Sequence, residues 1–218
     1  MVVSRCLSVM DWTNNYRRTT NDFFMRIFIA LDIDAALRTR LEQFLDGVRA
    51  FAPDVRWVRP ESMHVTLKFV GEKSSGAVEE IKQALGAIRA GAIDISFRGY
   101  GFFPTSKAPR VFWVGIGAGP ELPALAKSVD EATAALGVPR EEHEFSPHLT
   151  LARRGGSGAP RWRKGDGVNN AFQRLLEKLV AMPALEFGRM TARAFFLYHS
   201  QLMRGGARYT KIARFELR

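Results

Sequence analysis

Two short segments constrain this chain more than any other part of it. In Met63-His64-Val65-Thr66-Leu67-Lys68-Phe69-Val70 the apolar residues Met63, Val65, Leu67 and Phe69 alternate with His64, Thr66 and Lys68, which is the period of a β-strand with one buried face. Phe145-Ser146-Pro147-His148-Leu149-Thr150-Leu151-Ala152 has the same form, and a proline, Pro60 or Pro147, leads into each. Residues i and i+2 of a strand project from one face about 7 Å apart. Each segment therefore sets an imidazole beside a hydroxyl, and a chain that does this once in each half needs a sheet in each half.

The remaining periodicity supplies the other elements. Ile27 to Leu31 reads as a buried strand. Asp34 is a candidate helix N-cap for Leu37, Leu41, Phe44, Leu45, Val48 and Phe51, with Pro53 closing that helix. Gly71 is expected to end the first His strand, ahead of a helix marked by Val78, Ile81, Leu85 and Ile88. Strands are expected at Ile93 to Phe97 and Arg110 to Ile116, separated by the turn-rich stretch Gly99 to Pro109. Leu122, Leu125, Val129, Ala132 and Leu136 predict a helix ending at Gly137, and Phe172, Leu175, Leu176 and Leu179 predict another. The last strands fall near Met190 to Tyr198 and Ala207 to Leu217. The expected fold is α+β, two pseudo-symmetric lobes, each an antiparallel sheet flanked by helices, with the His strands lining a central basic groove. Residues 25–218 form this bilobal domain, and the pattern reads as an internal duplication.

Composition narrows the partners. With 218 residues, 46% hydrophobic and 25% charged, the chain is an ordinary globular one, and no stretch approaches the roughly 18 apolar residues of a membrane span. A net charge of +10 favours polyanionic partners such as nucleic acid or phosphorylated metabolites. Arg153, Arg154, Arg161, Arg163 and Lys164 cluster in a glycine-rich segment, Arg153 to Asn170, which reads as a basic surface loop. The single cysteine, Cys6, permits neither an internal disulfide nor a cysteine-based zinc site, and fits a reducing cytoplasm. Arg5 breaks the apolar run that a signal peptide would need, Thr13 to Asp22 is polar and aperiodic, and residues 1–24 read as a mobile extension. Met25 is then a plausible alternative start.

Four His and ten Thr in 218 residues make a His with Thr two places on an event expected about 0.2 times by chance; two cases with matching flanks are poorly explained by accident. Two such strands facing each other would bring two imidazoles and two hydroxyls around one phosphate. One neutral His could take a proton from an attacking water, the opposite protonated His could give one to the leaving oxygen, and the hydroxyls could hold the non-bridging oxygens. An imidazole pKa near 6.5 lets the pair share one proton at neutral pH. No metal or other cofactor is called for, and neither motif has a metal-ligand spacing such as H-E-x-x-H. His143 and His199 lack a partner Thr and are read as structural. Phe102, Phe103 and Phe145 are candidates for stacking on a base, although a core position is the commoner fate of such residues.

Both tetrapeptides, His64-Val65-Thr66-Leu67 and His148-Leu149-Thr150-Leu151, resemble the H-x-T-hydrophobic signatures of the 2H phosphoesterase superfamily. From about Met25 onward the chain resembles the bacterial and archaeal RNA 2′,3′-cyclic phosphodiesterases, historically called 2′-5′ RNA ligases. Met25 to Leu31 resembles their opening strand. Gly101-Phe102-Phe103-Pro104 with Pro109 to Gly115 resembles their middle segment. The resemblance implies His64 as proton donor to the departing ribose oxygen and His148 as the proton acceptor that activates water. It implies Thr66 and Thr150 on the phosphate, with Arg153 as a further phosphate contact. Strict alternation from His148 would turn Arg153 to the opposite face unless the strand ended at Ala152. The implied reaction opens RNA 2′,3′-cyclic phosphate ends to a 2′-phosphomonoester, and the resemblance also implies ATP-independent 2′-5′ joining of RNA ends.

RNA ends or cyclic nucleotides are thus the expected ligands of a monomer with no membrane and no obligate protein partner. Two rivals remain. A non-catalytic RNA-binding module would use the same groove, and a metal-dependent hydrolase would lose activity to chelators.

Overall fold

The computed structural model describes residues 23–155, 170–203 and 206–218. Most of the segment expected to be a mobile extension, and Arg161, Arg163 and Lys164 of the basic loop, lie outside them. Among the described residues, no helix is long and apolar enough to cross a membrane.

Among the described residues, nine strands and four α-helices follow in the order β1 (Phe24–Asp32), α1 (Ala35–Val48), β2 (Val55–Trp57), β3 (His64–Ser74), α2 (Ser75–Gly86), β4 (Ile93–Phe103), β5 (Val111–Ala118), α3 (Glu121–Ala134), β6 (His148–Arg154), α4 (Gln173–Val180), β7 (Glu186–Ala192), β8 (Ala194–Met203) and β9 (Gly206–Glu216). Local chemistry sets several boundaries. Asp34 caps α1 by accepting a hydrogen bond from the Leu37 amide at 2.7 Å, as its position before the apolar stripe predicts. Ser74 accepts from the Ala77 amide at the start of α2. Gly137, at φ +77°, follows α3, the left-handed turn that glycine adopts without a Cβ penalty.

All strands belong to one antiparallel sheet, ordered β7-β4-β5-β6-β3-β1-β8-β9, with β2 pairing β6. The two lobes are its halves, four strands with β2 beside β6 in one and four strands in the other, and they join through one residue pair, Val65 with Leu149. Their composition departs from a simple duplication. β8 and β9, late in sequence, return to the lobe of β1 and β3, while α1, early in sequence, packs against β7 at the opposite edge. Helices α2 and α3 pack on β3.

One face of the sheet and the helices enclose a large core that includes Leu41, Val65, Leu85, Phe112, Leu149 and Leu175. The other face is the groove. It carries a small separate cluster of Phe28, Ala30 and Tyr198, with Phe196 and Tyr209 against it.

Three sequence expectations need correction. Gly71 does not end β3: at φ +88° it opposes Ile27 at a register shift, and pairing continues to Ser74. β4 likewise runs on through Gly99, at φ +67°, to Phe103. The region near Met190 to Tyr198 is two strands, β7 and β8, which pair with β4 and β1 in opposite lobes.

Candidate active site

β3 and β6 meet antiparallel with the side chains of Val65 and Leu149 in the core. That register turns His64, Thr66, His148 and Thr150 to the groove and sets His64 across from Thr150 and His148 across from Thr66. The four motif residues thus surround one point at the junction of the lobes.

Each strand then departs from alternation at the same motif position. Opposite β3, Ile29 pairs with Lys68 and Ala30 with Thr66, so Leu67 is an extra residue. Opposite β6, Phe112 pairs with Ala152 and Trp113 with Thr150, so Leu151 is extra. Both are β-bulges, and each leaves two consecutive residues buried: Leu67 with Lys68, and Leu151 with Ala152. The bulge returns the following residue to the groove. Strand β6 continues to Arg154, yet Arg153 lies on the groove face, its Nη2 donating to Thr150 Oγ1 at 3.3 Å. The condition set by strict alternation is met by a bulge rather than by a strand end.

The two imidazoles are held identically. His64 Nδ1 lies 2.8 Å from the Ser62 carbonyl oxygen, and His148 Nδ1 lies 2.8 Å from that of Ser146. A carbonyl only accepts, so each Nδ1 carries a hydrogen and each Nε2 is left to meet a ligand. The lead-in to each strand, containing Pro60 or Pro147, presents the carbonyl two residues before the histidine.

Their surroundings differ. Phe28 lies 4.7 Å from the His64 ring, Tyr209 meets it edge-on at 5.2 Å and Tyr198 lies 5.9 Å away. Burial lowers the His64 pKa to about 4; the Ser62 hydrogen bond opposes this, and Arg153 and His148 add repulsion that Asp32 partly offsets. Asp32, opposite His64 in β1, is itself bound by Arg38 at 3.0 Å and by Lys211. Burial and then Asp32 also hold the Tyr198 hydroxyl protonated well above its usual range. His148 has Phe103 edge-on at 4.9 Å and Trp113 at 6.2 Å. Its pKa is lowered as well, by burial and by Arg153, against the Ser146 hydrogen bond.

The groove therefore presents two neutral imidazoles, two hydroxyls and a guanidinium, a set able to bind an anion and to move protons on either side of it. Among the described residues, no group of three or more His, Cys, Asp or Glu could hold a metal ion. All five candidate residues, His64, His148, Thr66, Thr150 and Arg153, converge here. Of the stacking candidates, Phe102 is buried in the core, Phe145 packs against the core, and Phe103 reaches the site. Sequence reasoning missed Asp32, Trp113, Tyr198 and Tyr209. Only Asp32 carried a signal, a lone acid at the end of the opening strand.

Residues 31–113 match the family described as LigT-like phosphoesterase. A protein of Archaeoglobus fulgidus named RNA 2′,3′-cyclic phosphodiesterase is 32% identical over 192 residues, spanning 88% of this chain and 100% of the relative. A protein of the same name from Methanothermobacter thermautotrophicus is 31% identical over 195 residues, spanning 88% and 99%. The crystal structure of E. coli LigT complexed with 3′-AMP superposes with a TM-score of 0.70 at 25% identity, covering 89% of this chain and 99% of that one. With relatives above 30% identity matched along almost their whole length, this chain belongs to the LigT-like phosphoesterase family, whose members include the RNA 2′,3′-cyclic phosphodiesterases.

Proposed function

We infer that this protein is a hydrolase that opens 2′,3′-cyclic phosphates at RNA ends, or on cyclic nucleotides, to 2′-phosphomonoesters. It acts as a single bilobal domain over residues 25–218, in the cytoplasm. The carrying observation is the matched pair of Nδ1 hydrogen bonds at 2.8 Å, which commits both imidazoles to one tautomer and both Nε2 atoms to the ligand.

In this reading the phosphate lies between Thr66 and Thr150, whose hydroxyls donate to its non-bridging oxygens, with Arg153 balancing its charge. Water attacks phosphorus on the side of His148, whose Nε2 takes the proton. The bond from phosphorus to the ribose 3′-oxygen breaks, and His64 Nε2 gives that oxygen its proton. Attack by an RNA 5′-hydroxyl in place of water, its proton passing to His148 while His64 protonates the departing 3′-oxygen, would give 2′-5′ joining of RNA ends.

The donor needs a proton that its environment withholds. With a pKa of about 4, His64 is neutral in the free site at pH 7, so its proton must arrive with the anionic phosphate, whose charge favours the imidazolium. Because both imidazoles titrate below 6.5, kcat/KM should fall as pH rises through neutrality. The deeper burial of His64 also favours a second reading in which the histidines exchange roles, His148 donating.

Phosphorus NMR of a reaction with 2′,3′-cyclic AMP tests the function: a 2′-phosphate signal is expected, and an unchanged cyclic signal beside measurable RNA binding would leave a binding module instead. A crystal structure with the 2′-phosphate product separates the two readings. The ribose 3′-oxygen should lie within hydrogen-bond distance of His64 in the first and of His148 in the second.

A further inference from the structure

Arg153 has a second arginine beside it. The short strand β2 lies along β6 on the side where the lobes diverge: β3 pairs with β6 at Leu149, and β2 takes its place from Ala152 to Arg154. Val55 of β2 lies in the core and Trp57 packs against it, so alternation turns Arg56, between them, to the groove. Arg56 is exposed there and stands directly opposite Arg153 in the register. Facing residues of an antiparallel pair have Cβ atoms about 5 Å apart.

Strand β2 is anchored along its length. The Val58 amide donates to the carbonyl of Leu151, the bulge residue of β6, at 2.8 Å. Trp57 Nε1 donates to the Ala52 carbonyl at 3.1 Å, and its ring meets Phe112 edge-on at 6.2 Å. The bulge that brings Arg153 into the groove thus also holds the strand that carries Arg56.

Like charges directly opposite on a sheet repel. Among the described residues, neither guanidinium forms a salt bridge that would offset this. Arg153 turns back along β6 to Thr150 Oγ1 at 3.3 Å, toward the junction of the lobes. Arg56 makes no hydrogen bond or ion pair among the described residues.

We propose that Arg56 holds the second phosphate of an RNA end, the one on the 5′-oxygen of the terminal nucleotide, while Arg153 balances the reacting phosphate at Thr66 and Thr150. Phosphates laid over the two guanidiniums turn a repulsive pair into a matched one. The occupant follows from spacing and connection. The cations stand no farther apart along the backbone than neighbouring phosphates of an RNA strand, and Arg153 takes the inner place. This inference rests on the proposed cyclic phosphate chemistry and narrows its substrate. An RNA end carries the second phosphate and 2′,3′-cyclic AMP does not, so Arg56 favours the RNA end.

The test compares 2′-AMP with adenosine 2′,5′-bisphosphate by calorimetry on the full chain. Wild type should bind the bisphosphate about tenfold more tightly than 2′-AMP. Arg56→Ala should erase that advantage while changing 2′-AMP binding by less than about twofold. Its thermal midpoint should be no lower than that of wild type, since the substitution relieves a repulsion. A wild type without preference for the bisphosphate, or a preference that survives in Arg56→Ala, would overturn the proposal. Equal losses for the two ligands would also overturn it, since they would put Arg56 on the same phosphate as Arg153. Turnover of 2′,3′-cyclic AMP by wild type reports separately on the hydrolase reading. A protein that leaves this compound intact sinks that reading, while the bisphosphate comparison still decides the role of Arg56.

Discussion

The two sides of the groove share a backbone and differ in what covers it. On the side of β3, three aromatic rings from β1, β8 and β9 enclose His64, with Phe28 and Tyr198 stacked at 5.0 Å and an interplanar angle of 6°. On the side of β6, the floor next to His148 is glycine. A Cβ on Gly101 would overlap the Trp113 indole, which lies across β4 at that point, and a Cβ on Gly115 would stand 2.6 Å from the Arg98 carbonyl oxygen. Identical hydrogen bonds fix the tautomers of the two histidines, so the difference in proton affinity comes from these neighbours. Backbone symmetry sets two matched His and Thr pairs around one point, and side-chain asymmetry gives the two imidazoles different surroundings.

The strongest way to break this picture is to remove one imidazole at a time. His64→Ala and His148→Ala should each lower kcat on 2′,3′-cyclic AMP by on the order of 10²- to 10⁴-fold with unchanged circular dichroism. Wild-type turnover by either variant would confine the chemistry to one lobe.

The lobes differ next at the residue after each bulge, Lys68 in β3 and Ala152 in β6. The Lys68 side chain is 1% exposed. Its ammonium donates to Asp130 of α3 and, at 2.6 Å, to the Pro139 carbonyl, with Glu141 at 3.7 Å. Lys68 therefore ties the first motif strand to the segment that leads into the second. Lys68→Ala leaves Asp130 with a reduced set of partners, Arg140 and the Glu141 amide, and should cost about 3–5 kcal/mol in urea unfolding. A cost under about 1 kcal/mol would mean that the cluster is solvated like a surface pair.

Much of this was legible in the sequence. Alternation placed each His beside its Thr, and the lead-in prolines and the caps at Asp34 and Gly137 placed the elements around them. The bulges were not legible, because an extra residue in a ladder is defined by the partner strand and leaves no mark on its own. Hence Arg153 looked misdirected, and Phe69, which the structure exposes, looked like one more core position in the row of Val65 and Leu67. Nor could local pattern foresee that β9, near the C-terminus, would return to β8 and bring Tyr209 against His64. That contact depends on strand order, which periodicity within a segment does not encode.

Acid titration sharpens the contrast in burial. A histidine whose folded pKa lies below its unfolded value is held neutral by folding, so its contribution is fully present above the unfolded pKa and is lost as pH falls toward the folded one. For His64 that window runs from 6.5 down to about 4, and the loss should amount to about 3 kcal/mol. His148 shifts in the same direction. Urea unfolding across this range should therefore flatten more for His64→Asn than for His148→Asn. The reverse ranking would place the more buried imidazole in the wrong lobe.

The smallest expected effect is the most local. Tyr209→Ala removes the edge-on ring 5.2 Å from His64 and lets water into the cage. Less desolvation of the imidazolium should raise the His64 pKa from about 4 toward its ordinary value. His148 should keep its titration, since its ring contacts come from Phe103 and Trp113. Phe103→Ala should do the converse, raising His148 and sparing His64. Both titrations can be followed by NMR of the imidazole ring protons, and the expected result is two shifts, each confined to the lobe that lost its ring. Should either variant move both histidines alike, the repulsion between them and their common neighbour Arg153 would outweigh the separate cages, and the groove would titrate as one unit rather than as two unequal halves.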